Sequence, residues 1–446
     1  QIVQKLGVPF VVTWWAADFI ILPPKYLADL RGAEWGHLNF FKSISDAFFL
    51  HTTVGDLYSS TSAERIVDVV NRGLNPCLPM LTPVLLEEIN YGFQKELGTI
   101  QGWKEIVAFD FFSNIAHRNA CRIIIGDELC RDEEFLQKSM NFIKGIFINA
   151  LVIVKLPLGP LRPSLAWLIS LVHRWQLRSC ERILLPVLRR RLEARNTAEN
   201  RNMGKLDAME WTFGLHQELT HYGTLSKVSK ELLHTLWAGS SAPGGMMTEI
   251  LYQLLLHPQH IEPLREEARK AIKEDGWSEK MLSSLLLQDS FIREVNRLFP
   301  TGSITCVRVV CNRPFVFSDG LTLPVGTRFG FPAKAIQRAG DTKFKGFRFA
   351  QSSQKRDGVS ENTRRWSAAS MATDNLAWGY GTHVCPGRFL AVRELKLIFT
   401  KLLTEYEFKW DKKDEVRPSP VHIEGQFIPN MQQKIFLKRR HAASMS

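Results

Sequence analysis

The sequence predicts a mainly α fold with small β-sheets (an α+β class), organised as one domain over residues 1–446. Helical hydrophobic periodicity dominates residues 63–180 and is longest over Leu225–Leu256, whereas strand-like runs are short. A hydrophobic content of 45% in 446 residues is enough for one large core. Because no Gly/Ser-rich linker, repeat or low-complexity tract divides the chain, we expect no second domain.

The N-terminal part is expected to contain a hairpin followed by a helix. Residues 8–22 are rich in β-branched and aromatic residues, with a possible turn at residues 16–18. Two prolines then end the hairpin and begin a helix over residues 23–30. Residues 40–62 lack a clear period, so we expect a long loop there.

The C-terminal half begins with a charged helix over residues 261–273. Strands are expected around Arg308, and residues 408–436 predict a terminal β-hairpin with its tip near residues 425–428. Between these strands, Ser318-Asp319-Gly320 is a turn signal.

The composition favours some classes of protein over others. The chain carries 57 basic and 45 acidic residues, a formal charge of +12, but no nucleic-acid-binding motif accompanies this charge. We therefore expect no nucleic-acid partner, and interpret most of the charge as solvated helix faces. The seven cysteines show neither paired spacing nor a zinc pattern, which indicates a reducing compartment.

One cysteine lies between a glycine-rich loop and a helix, in the stretch Trp-Gly-Tyr-Gly-Thr-His-Val-Cys-Pro-Gly-Arg over residues 378–388. Pro386 suits the first position of the helix that the following apolar residues predict. Cys385 is therefore expected at a helix N-terminus, where the dipole and free N–H groups favour a thiolate. Such a thiolate suits a soft metal centre such as haem iron; the alternative is a buried structural thiol.

Two upstream stretches favour the metal-binding interpretation. Glu294 and Arg297 form a Glu-x-x-Arg pattern on a predicted helix, and Arg348 lies in a Phe-Arg-Phe stretch before the cysteine loop. A Glu–Arg pair at this spacing is common by itself. The order of the three stretches is not common.

With these three stretches in order, the chain resembles the cytochrome P450 family, from about residue 6 to the C-terminal end. It resembles in particular fungal membrane-bound members from secondary metabolism. That closer likeness rests on residues 22–27 (Leu-Pro-Pro-Lys-Tyr-Leu), 127–131 (Asp-Glu-Leu-Cys-Arg) and 261–267 (Ile-Glu-Pro-Leu-Arg-Glu-Glu). The resemblance implies a cytochrome P450-like fold, with a long central helix over a buried haem.

The resemblance also implies roles for individual residues. Cys385 is the implied axial iron ligand, and Glu294, Arg297 and Arg348 are the implied buried ion-pair cluster that locks the cysteine loop. The other implied haem contacts are His383 and Arg308 beside a propionate, Arg72 (one place out of register), Trp378 where the family usually has Phe, and the loop glycines Gly379 and Gly387.

The middle of the long helix departs from the family pattern. The family usually has an acid followed by Thr, which supplies protons during oxygen activation, whereas Ser241 and Ala242 stand at the matching positions. Pro243 cannot donate to the carbonyl of Gly239, which leaves that carbonyl free to bind water. Ser240 or Ser241 is then the candidate hydroxyl. The alternatives are a kinked helix shaped for a bulky substrate, and a chemistry that needs no proton relay.

The implied function is a haem-thiolate monooxygenase acting on a bulky hydrophobic secondary metabolite: a terpenoid, an indole alkaloid or a polyketide. One alternative is oxidative cyclisation, coupling, desaturation or rearrangement without oxygen insertion. A remote alternative is a non-catalytic haem-binding protein or a helical interaction module. The candidate pocket residues are Phe48, Tyr58, Trp237, Ala242, Thr301, Thr305 and Phe427.

The implied cofactor is haem b (iron protoporphyrin IX), with electrons from NADPH through a separate NADPH–cytochrome P450 reductase. The chain itself has no flavin-binding Gly-x-Gly-x-x-Gly domain. A basic face near Arg388, Arg393 and Lys396 is the expected docking surface.

The expected location is the cytosolic face of the endoplasmic reticulum membrane. Fungal relatives carry an N-terminal anchor; this chain starts at Gln1 and has no apolar run of bilayer length, so we expect the anchor to be absent. The apolar run at residues 146–154 is either a membrane-surface contact or an ordinary buried helix.

Overall fold

The structure is a computed structural model, and it describes residues 7–58, 60–196, 204–350, 367–411 and 416–440. Helices make up most of it. In chain order the α-helices are α1 Phe40–Ala47, α2 His51–Val54, α3 Ser60–Asp68, α4 Asn75–Leu97, α5 Ala108–Ile124, α6 Glu133–Lys155, α7 Arg162–Ile169, α8 Leu171–Asn196, α9 Ala208–Leu215, α10 Leu225–Leu256, α11 Ile261–Asp275, α12 Glu279–Ser284, α13 Leu286–Leu298, α14 Ala333–Gln337 and α15 Arg388–Glu405.

Shorter helical turns connect these elements. A π-helical turn, Val69–Leu74, leads into α4, and the 3₁₀ turns are Pro24–Arg31, Gly159–Leu161, Gln217–Leu219, Tyr222–Thr224, Pro258–His260 and Gly381–His383. Within the described ranges, none of the helices combines the length and the apolar character that crossing a bilayer requires.

The strands form small sheets at the edges of the helical body. They are β1 Phe10–Trp14, β2 Ala17–Ile21, β3 Leu38–Asn39, β4 Lys104–Val107, β5 Thr305–Val310, β6 Phe315–Val316, β7 Thr322–Leu323, β8 Arg328–Phe331, β9 Tyr406–Trp410, β10 Val421–Ile423, β11 Gln426–Ile428 and β12 Lys434–Arg439. The largest sheet has the order β1-β2-β8-β5-β3, in which only β2 and β8 are parallel. The others are β4-β12-β9, β6-β7 and β10-β11.

The central helix α10 is 32 residues long and begins and ends where the hydrophobic period predicts, at Leu225 and Leu256. It remains one continuous helix through Pro243, which is buried. One face packs along α5: a Cβ on Gly244 would lie 2.6 Å from the Cα of Ser113, and one on Gly239 would lie 3.1 Å from the Cδ1 of Ile124. These glycines therefore let two helices approach closely.

Several predicted elements differ from the structure. The turn of the first hairpin is Trp15–Ala16 and not residues 16–18, because both residues adopt positive φ (49° and 56°), as a two-residue turn requires. The expected loop at residues 40–62 instead contains α1, α2 and the start of α3. Asn39 caps α1 by accepting a hydrogen bond from the N–H of Lys42, a signal that the period analysis does not include.

One buried carboxyl group predicts how stability depends on pH. Glu394 of α15 is 4% exposed and accepts a hydrogen bond from the Nδ2 of Asn119 (2.8 Å). Burial raises the pKa of Glu394 from 4.5 to about 8. In that pH window the folded state holds a proton that the unfolded state has lost, so stability should fall as pH rises, by about 1.4 kcal/mol per pH unit from this group. Measured by denaturant unfolding from pH 4.5 to about pH 8, the free energy of unfolding should depend less on pH in Glu394→Gln than in the unchanged chain. The same pH dependence in both proteins would contradict this.

Candidate active site: the cysteine loop and the central helix

The cysteine loop is closed by its own backbone. The N–H of Cys385 donates to the carbonyl of Trp378 (2.8 Å), and Gly379 and Gly381 adopt φ values of 78° and 77°. Helix α15 begins at Arg388, three residues after the cysteine, with Gly387 as its N-cap. The prediction that Cys385 precedes a helix N-terminus is confirmed, but Pro386 lies before the N-cap and is not the first helical residue.

Two backbone N–H groups and one cation face the sulfur of Cys385. Burial raises the pKa of this thiol, while hydrogen bonds from the N–H groups of Gly387 and Arg388 and the charge of Arg388 oppose that rise. Arg388 also donates to the carbonyl of Cys385 (2.8 Å). A metal cation at the sulfur would displace the proton, and the two N–H groups would then stabilise the thiolate.

Gly381 is a position where the loop geometry can be tested. An added Cβ would lie 2.4 Å from the backbone oxygen of Leu30, at a φ of 77° that disfavours other residues. Gly326→Ala is a matched control, because Gly326 also has positive φ (87°) but has no heavy atom within 4 Å of that Cβ position. We expect Gly381→Ala to lower the free energy of unfolding by at least ~2 kcal/mol more than Gly326→Ala. Equal losses in denaturant unfolding would show that this close approach has no role.

Arg308 of β5 is a buried cation beside the loop. Its side chain is among the fully buried ones, and its guanidinium donates to the carbonyls of Val307 (2.8 Å) and Tyr380 (3.1 Å). Burial lowers the pKa of Arg308 to about 10. Within the described residues it has no carboxylate partner. A buried guanidinium without an anion fits a site that accepts a carboxylate from a ligand, such as a haem propionate.

His383 lies beside Arg308. Its Nε2 donates to the carbonyl of Trp35 (2.8 Å), and its ring lies 4.6 Å from the ring of Trp35. Burial and the charge of Arg308 lower the pKa of His383 to about 4, so the imidazole is neutral at pH 7.

The remaining predicted haem contacts lie in different surroundings. Trp378 donates from Nε1 to the carbonyl of Ala368 (2.7 Å), so its ring is fixed beside the loop. Arg72 pairs with Asp68 (3.0 Å) and its side chain is 64% exposed, so the structure gives it a partner other than the loop.

The predicted ion-pair cluster forms around Glu294, which is completely buried. Its carboxylate accepts from Arg297 (Nε 2.7 Å, Nη2 2.8 Å), from Arg348 (Nε 3.1 Å) and from the backbone N–H of Lys345 (2.9 Å). Arg297 also donates to the carbonyls of Gln337 and Asp341. The cluster therefore joins α13 and α14 to the segment that leads to the cysteine loop.

On the central helix, Ser240 and Ser241 face in different directions. Ser240 is 4% exposed and lies 3.0 Å from Nδ1 of His117, on α5. Nε2 of His117 lies near two oxygens, Ser139 Oγ (2.9 Å) and the Leu136 carbonyl (3.3 Å), and the carbonyl can only accept. Nε2 therefore carries the proton, so the Ser240 hydroxyl donates to Nδ1 and is turned away from the opposite face of the helix. Sequence reasoning missed His117, which no local motif marks.

The opposite face of the helix is open. Ala238 and Ser241 are exposed, and Ala242 and Gly245 are partly exposed, although the residues around them are buried. These positions share one face of an α-helix. Exposed positions in the middle of a helix that is otherwise packed indicate that a cavity borders this face, as a bound haem and substrate require.

The aromatic pocket candidates Phe48, Tyr58 and Trp237 lie together along the N-terminal half of the central helix. The Phe48 ring lies 5.4 Å from the Trp237 ring and 4.9 Å from the ring of Trp15, a residue that sequence reasoning did not include. The Tyr58 hydroxyl lies 2.6 Å from Nδ1 of His234, and burial raises the pKa of this phenol, so the hydroxyl is the donor. These contacts join the β1–β2 turn and the region of α1 and α2 to the central helix.

The other pocket candidates come from β5 and the C-terminal hairpin. The N–H of Phe427 donates to the carbonyl of Thr301 (2.8 Å), so these two predicted residues are neighbours. Thr305 begins β5 and pairs with Phe331. The hairpin tip is Glu424–Gly425, two residues with positive φ (46° and 71°), one position before the predicted tip.

The predicted basic docking face is wrong for two of its three residues. Arg393 forms hydrogen bonds to both oxygens of Glu279 (2.7 and 2.6 Å), and Lys396 is 6% exposed and pairs with Asp289 (2.6 Å). Both cations point into packed helices because the polar face of α15 is covered by α12 and α13. Arg388 is partly exposed.

Comparisons with known proteins agree with this site. A sequence model of the cytochrome P450 family matches residues 80–435. The cytochrome P450 monooxygenase sirB of Leptosphaeria maculans is 34% identical to this chain, covering 100% of the chain and 85% of that protein. The cytochrome P450 monooxygenase paxP of Penicillium paxilli is 32% identical, covering 95% and 81%.

Among solved structures, the retinoic acid-bound cyanobacterial CYP120A1 matches with a TM-score of 0.73, covering 98% of this chain and 93% of that one. Its sequence identity of 15% makes this a likeness of fold. The fold and the family match show that the cofactor is haem b, reduced through a redox partner. The chain is an enzyme of the cytochrome P450 family.

Proposed function

We propose that this enzyme is a single-domain haem-thiolate monooxygenase that oxidises a bulky apolar secondary metabolite. The observation that carries the proposal is the Cys385 sulfur, which is partly exposed and accepts two backbone N–H groups in front of α15. Bound at this sulfur, haem supplies oxygen activation, while the protein supplies binding, orientation and exclusion of water. Arg308 would hold a haem propionate, and the Glu294 cluster would keep the cysteine loop rigid.

The reduced CO-difference spectrum tests this proposal. Purified protein, loaded with haem and reduced, should show the CO band of a thiolate-ligated haem. With NADPH–cytochrome P450 reductase and NADPH it should then oxidise an apolar metabolite of the producing cells. A CO band of the imidazole type in freshly purified protein would overturn the proposal.

Ser241 is the residue we assign to proton supply. Its hydroxyl is on the open face of α10, whereas that of Ser240 is committed to His117. Pro243 has no N–H, so the Gly239 carbonyl lacks its usual helical donor and can hold a water molecule beside Ser241. A hydroxyl with an ordered water can hold and pass a proton at this point.

A matched pair of variants tests this role. Ser241→Ala should lower the product formed per NADPH consumed by about tenfold or more, because the proton donor is lost while electron delivery continues. Ser240→Ala should change this ratio by less than about twofold, since its hydroxyl only bonds His117. Equal ratios for Ser241→Ala and the unchanged enzyme would exclude Ser241 from the relay.

A second candidate function is oxidative cyclisation, coupling, desaturation or rearrangement without oxygen insertion. The observation that favours it is the absence of a carboxylate and a threonine at Ser241 and Ala242. Placing Asp at position 241 together with Thr at position 242 should raise hydroxylation if the departure redirects the chemistry. An unchanged product ratio would count against this candidate.

The substrate is expected to be apolar and large. Phe48 and Trp237 pack together beside the central helix, and Phe427 lies on the hairpin whose neighbouring Pro429 borders Gly245 on the open face. The hydroxyl of Tyr58 is bonded to His234. Aromatic walls with few polar groups suit apolar ligands. A terpenoid, an indole alkaloid or a polyketide fits this chemistry.

A membrane surface is the proposed location, on the cytosolic face of the endoplasmic reticulum. Within the predicted 146–154 run, Ile146 and Ile153 are buried, whereas Ile148 is 58% exposed. Other large apolar side chains are exposed on α6 and on the elements that follow it, and α7 and α8 both pack against α6, which suits contact with a lipid surface. These exposed residues are Val152, Leu161, Trp167, Leu168, Leu171, Val172 and Trp175. Vesicle flotation should be lost when Trp167 and Trp175 are both replaced by Glu; unchanged flotation would exclude this surface.

A further inference from the structure

The hairpin β10–β11 and the segments beside it are attached to the central helix at three levels. A Cβ at Gly245 would lie 3.7 Å from the Cδ of Pro429, and the hydroxyl of Tyr252 donates to the carbonyl of Asn430 (2.9 Å). Between them, Glu249 accepts two hydrogen bonds from Arg417. Positions 245, 249 and 252 lie on one face of α10, about one turn apart, so one helix face contacts the segments on both sides of the hairpin.

The middle contact is a bidentate ion pair between a buried carboxylate and a partly exposed guanidinium. Nε and Nη2 of Arg417 lie 2.9 and 2.8 Å from the two oxygens of Glu249, and Nε2 of Gln253 donates to the same carboxylate (2.8 Å). Glu249 is 2% exposed. A buried carboxylate is costly unless every oxygen is bonded, so the position of Arg417 relative to α10 is tightly determined.

The same guanidinium contacts Phe427 on strand β11 of the hairpin. Its central carbon lies 4.3 Å from the ring centre of Phe299 and 5.0 Å from that of Phe427, and the two rings are 6.0 Å apart. A planar cation stacks on aromatic faces in a way that lysine cannot copy. The position of the Phe427 ring is therefore set by Arg417, and that of Arg417 by Glu249.

We propose that Glu249 and Arg417 are positioning residues that fix Phe427 on the pocket wall and thereby set which carbon of the substrate is presented for oxidation. This rests on the proposed function, because Phe427 is taken to contact the substrate. We expect replacement of Glu249 to disturb the position of Phe427 more than replacement of Arg417 does. Burial, and then the charges of neighbouring arginines that include Arg417, lower the pKa values of Lys334 and Arg338, so Arg417 lies among other cations and Glu249→Gln would remove the carboxylate that it bonds.

The test compares Arg417→Lys and Glu249→Gln with Arg265→Lys. Arg265 is a buried arginine that bonds Glu407 (2.8 Å) on β9 and makes no contact with the β10–β11 hairpin among the described residues. Amide hydrogen exchange of the haem-loaded enzyme should rise over residues 421–430 in the first two variants and stay unchanged there in the control. This readout needs neither a substrate nor turnover.

Two azole ligands then report the pocket. Imidazole needs only the iron, whereas ketoconazole also fills the pocket up to its walls. We expect the Kd for ketoconazole to rise about tenfold in Arg417→Lys and by more in Glu249→Gln, with little change for imidazole. The double variant Glu249→Gln with Arg417→Gln should have a Kd for ketoconazole no higher than that of Glu249→Gln alone, because the two residues act as a unit.

The outcomes separate the two proposals. Unchanged exchange at residues 421–430, or an unchanged ratio of the two Kd values, would overturn the positioning role even in an active enzyme. Altered exchange in a protein that lacks the thiolate-type CO band would overturn the proposed function but support the positioning role of Glu249 and Arg417. We also expect Arg417→Lys to change the proportions of the product regioisomers, whereas Arg265→Lys should leave them unchanged.

Discussion

Cys385→Ala is expected to eliminate the thiolate-type CO band and to lower product formation by more than about 100-fold. Replacing a residue that only supports a metal ligand typically costs about 10- to 100-fold, and loss of the ligand itself should cost more. The reason is that the sulfur accepting the N–H groups of Gly387 and Arg388 has no substitute in an alanine. The measurement is the reduced CO-difference spectrum together with turnover in the presence of reductase.

Cys180→Ala is the matched control. Cys180, on α8, is completely buried, whereas Cys385 is partly exposed, and burial raises the pKa of the Cys180 thiol to about 12, as expected of a structural cysteine. This variant should lose some stability through the cavity it leaves, yet keep the CO band. A Cys385→Ala protein with an unchanged CO band would show that the iron ligand lies elsewhere.

Glu294→Gln is expected to have the largest effect on stability, because the guanidinium groups of Arg297 and Arg348 would then face a neutral amide instead of a carboxylate. Glu294 is 0% exposed and bonds both Arg297 and Arg348. Breaking a buried pair by removing one partner typically costs about 3–5 kcal/mol. Denaturant unfolding and the haem content of the purified variant should both report the loss.

An exposed ion pair provides the control for this variant. Glu105 pairs with Lys434 at 2.7 Å, with side chains 44% and 52% exposed. Glu105→Gln should cost less than about 1 kcal/mol, as surface pairs do. If the two variants lose equal stability and retain equal haem, the buried cluster does not lock the cysteine loop.

Local patterns were enough to predict the parts of the site that depend on neighbours in sequence. The cysteine loop follows from two glycines that need positive φ and from a helix that begins just after them. The 32-residue helix follows from its own hydrophobic period. Residues 40–62 were predicted wrongly as a loop because short helices such as α1 are specified by caps and tertiary packing more than by period.

Contacts between residues distant in sequence were not visible in this way. Glu249 and Arg417 are 168 positions apart, and His117 and Ser240 are 123 apart. In the sequence, each is an ordinary charged or polar residue on a helix or in a loop. Likewise, Arg393 and Lys396 looked like a basic surface until their carboxylate partners on α12 and α13 were located. The direction in which a polar side chain points is decided by packing, which the sequence pattern alone does not report.

Turnover under labelled oxygen tests the central claim most directly. Metabolites of cells with and without this enzyme, grown under ¹⁸O₂, are compared by high-resolution mass spectrometry. The account predicts a product that carries one labelled oxygen atom and is missing from cells that express Cys385→Ala. A product that has lost two hydrogens, or an unlabelled isomer of the substrate, would contradict monooxygenation and show that the departure at Ser241 and Ala242 marks a different reaction at the same haem.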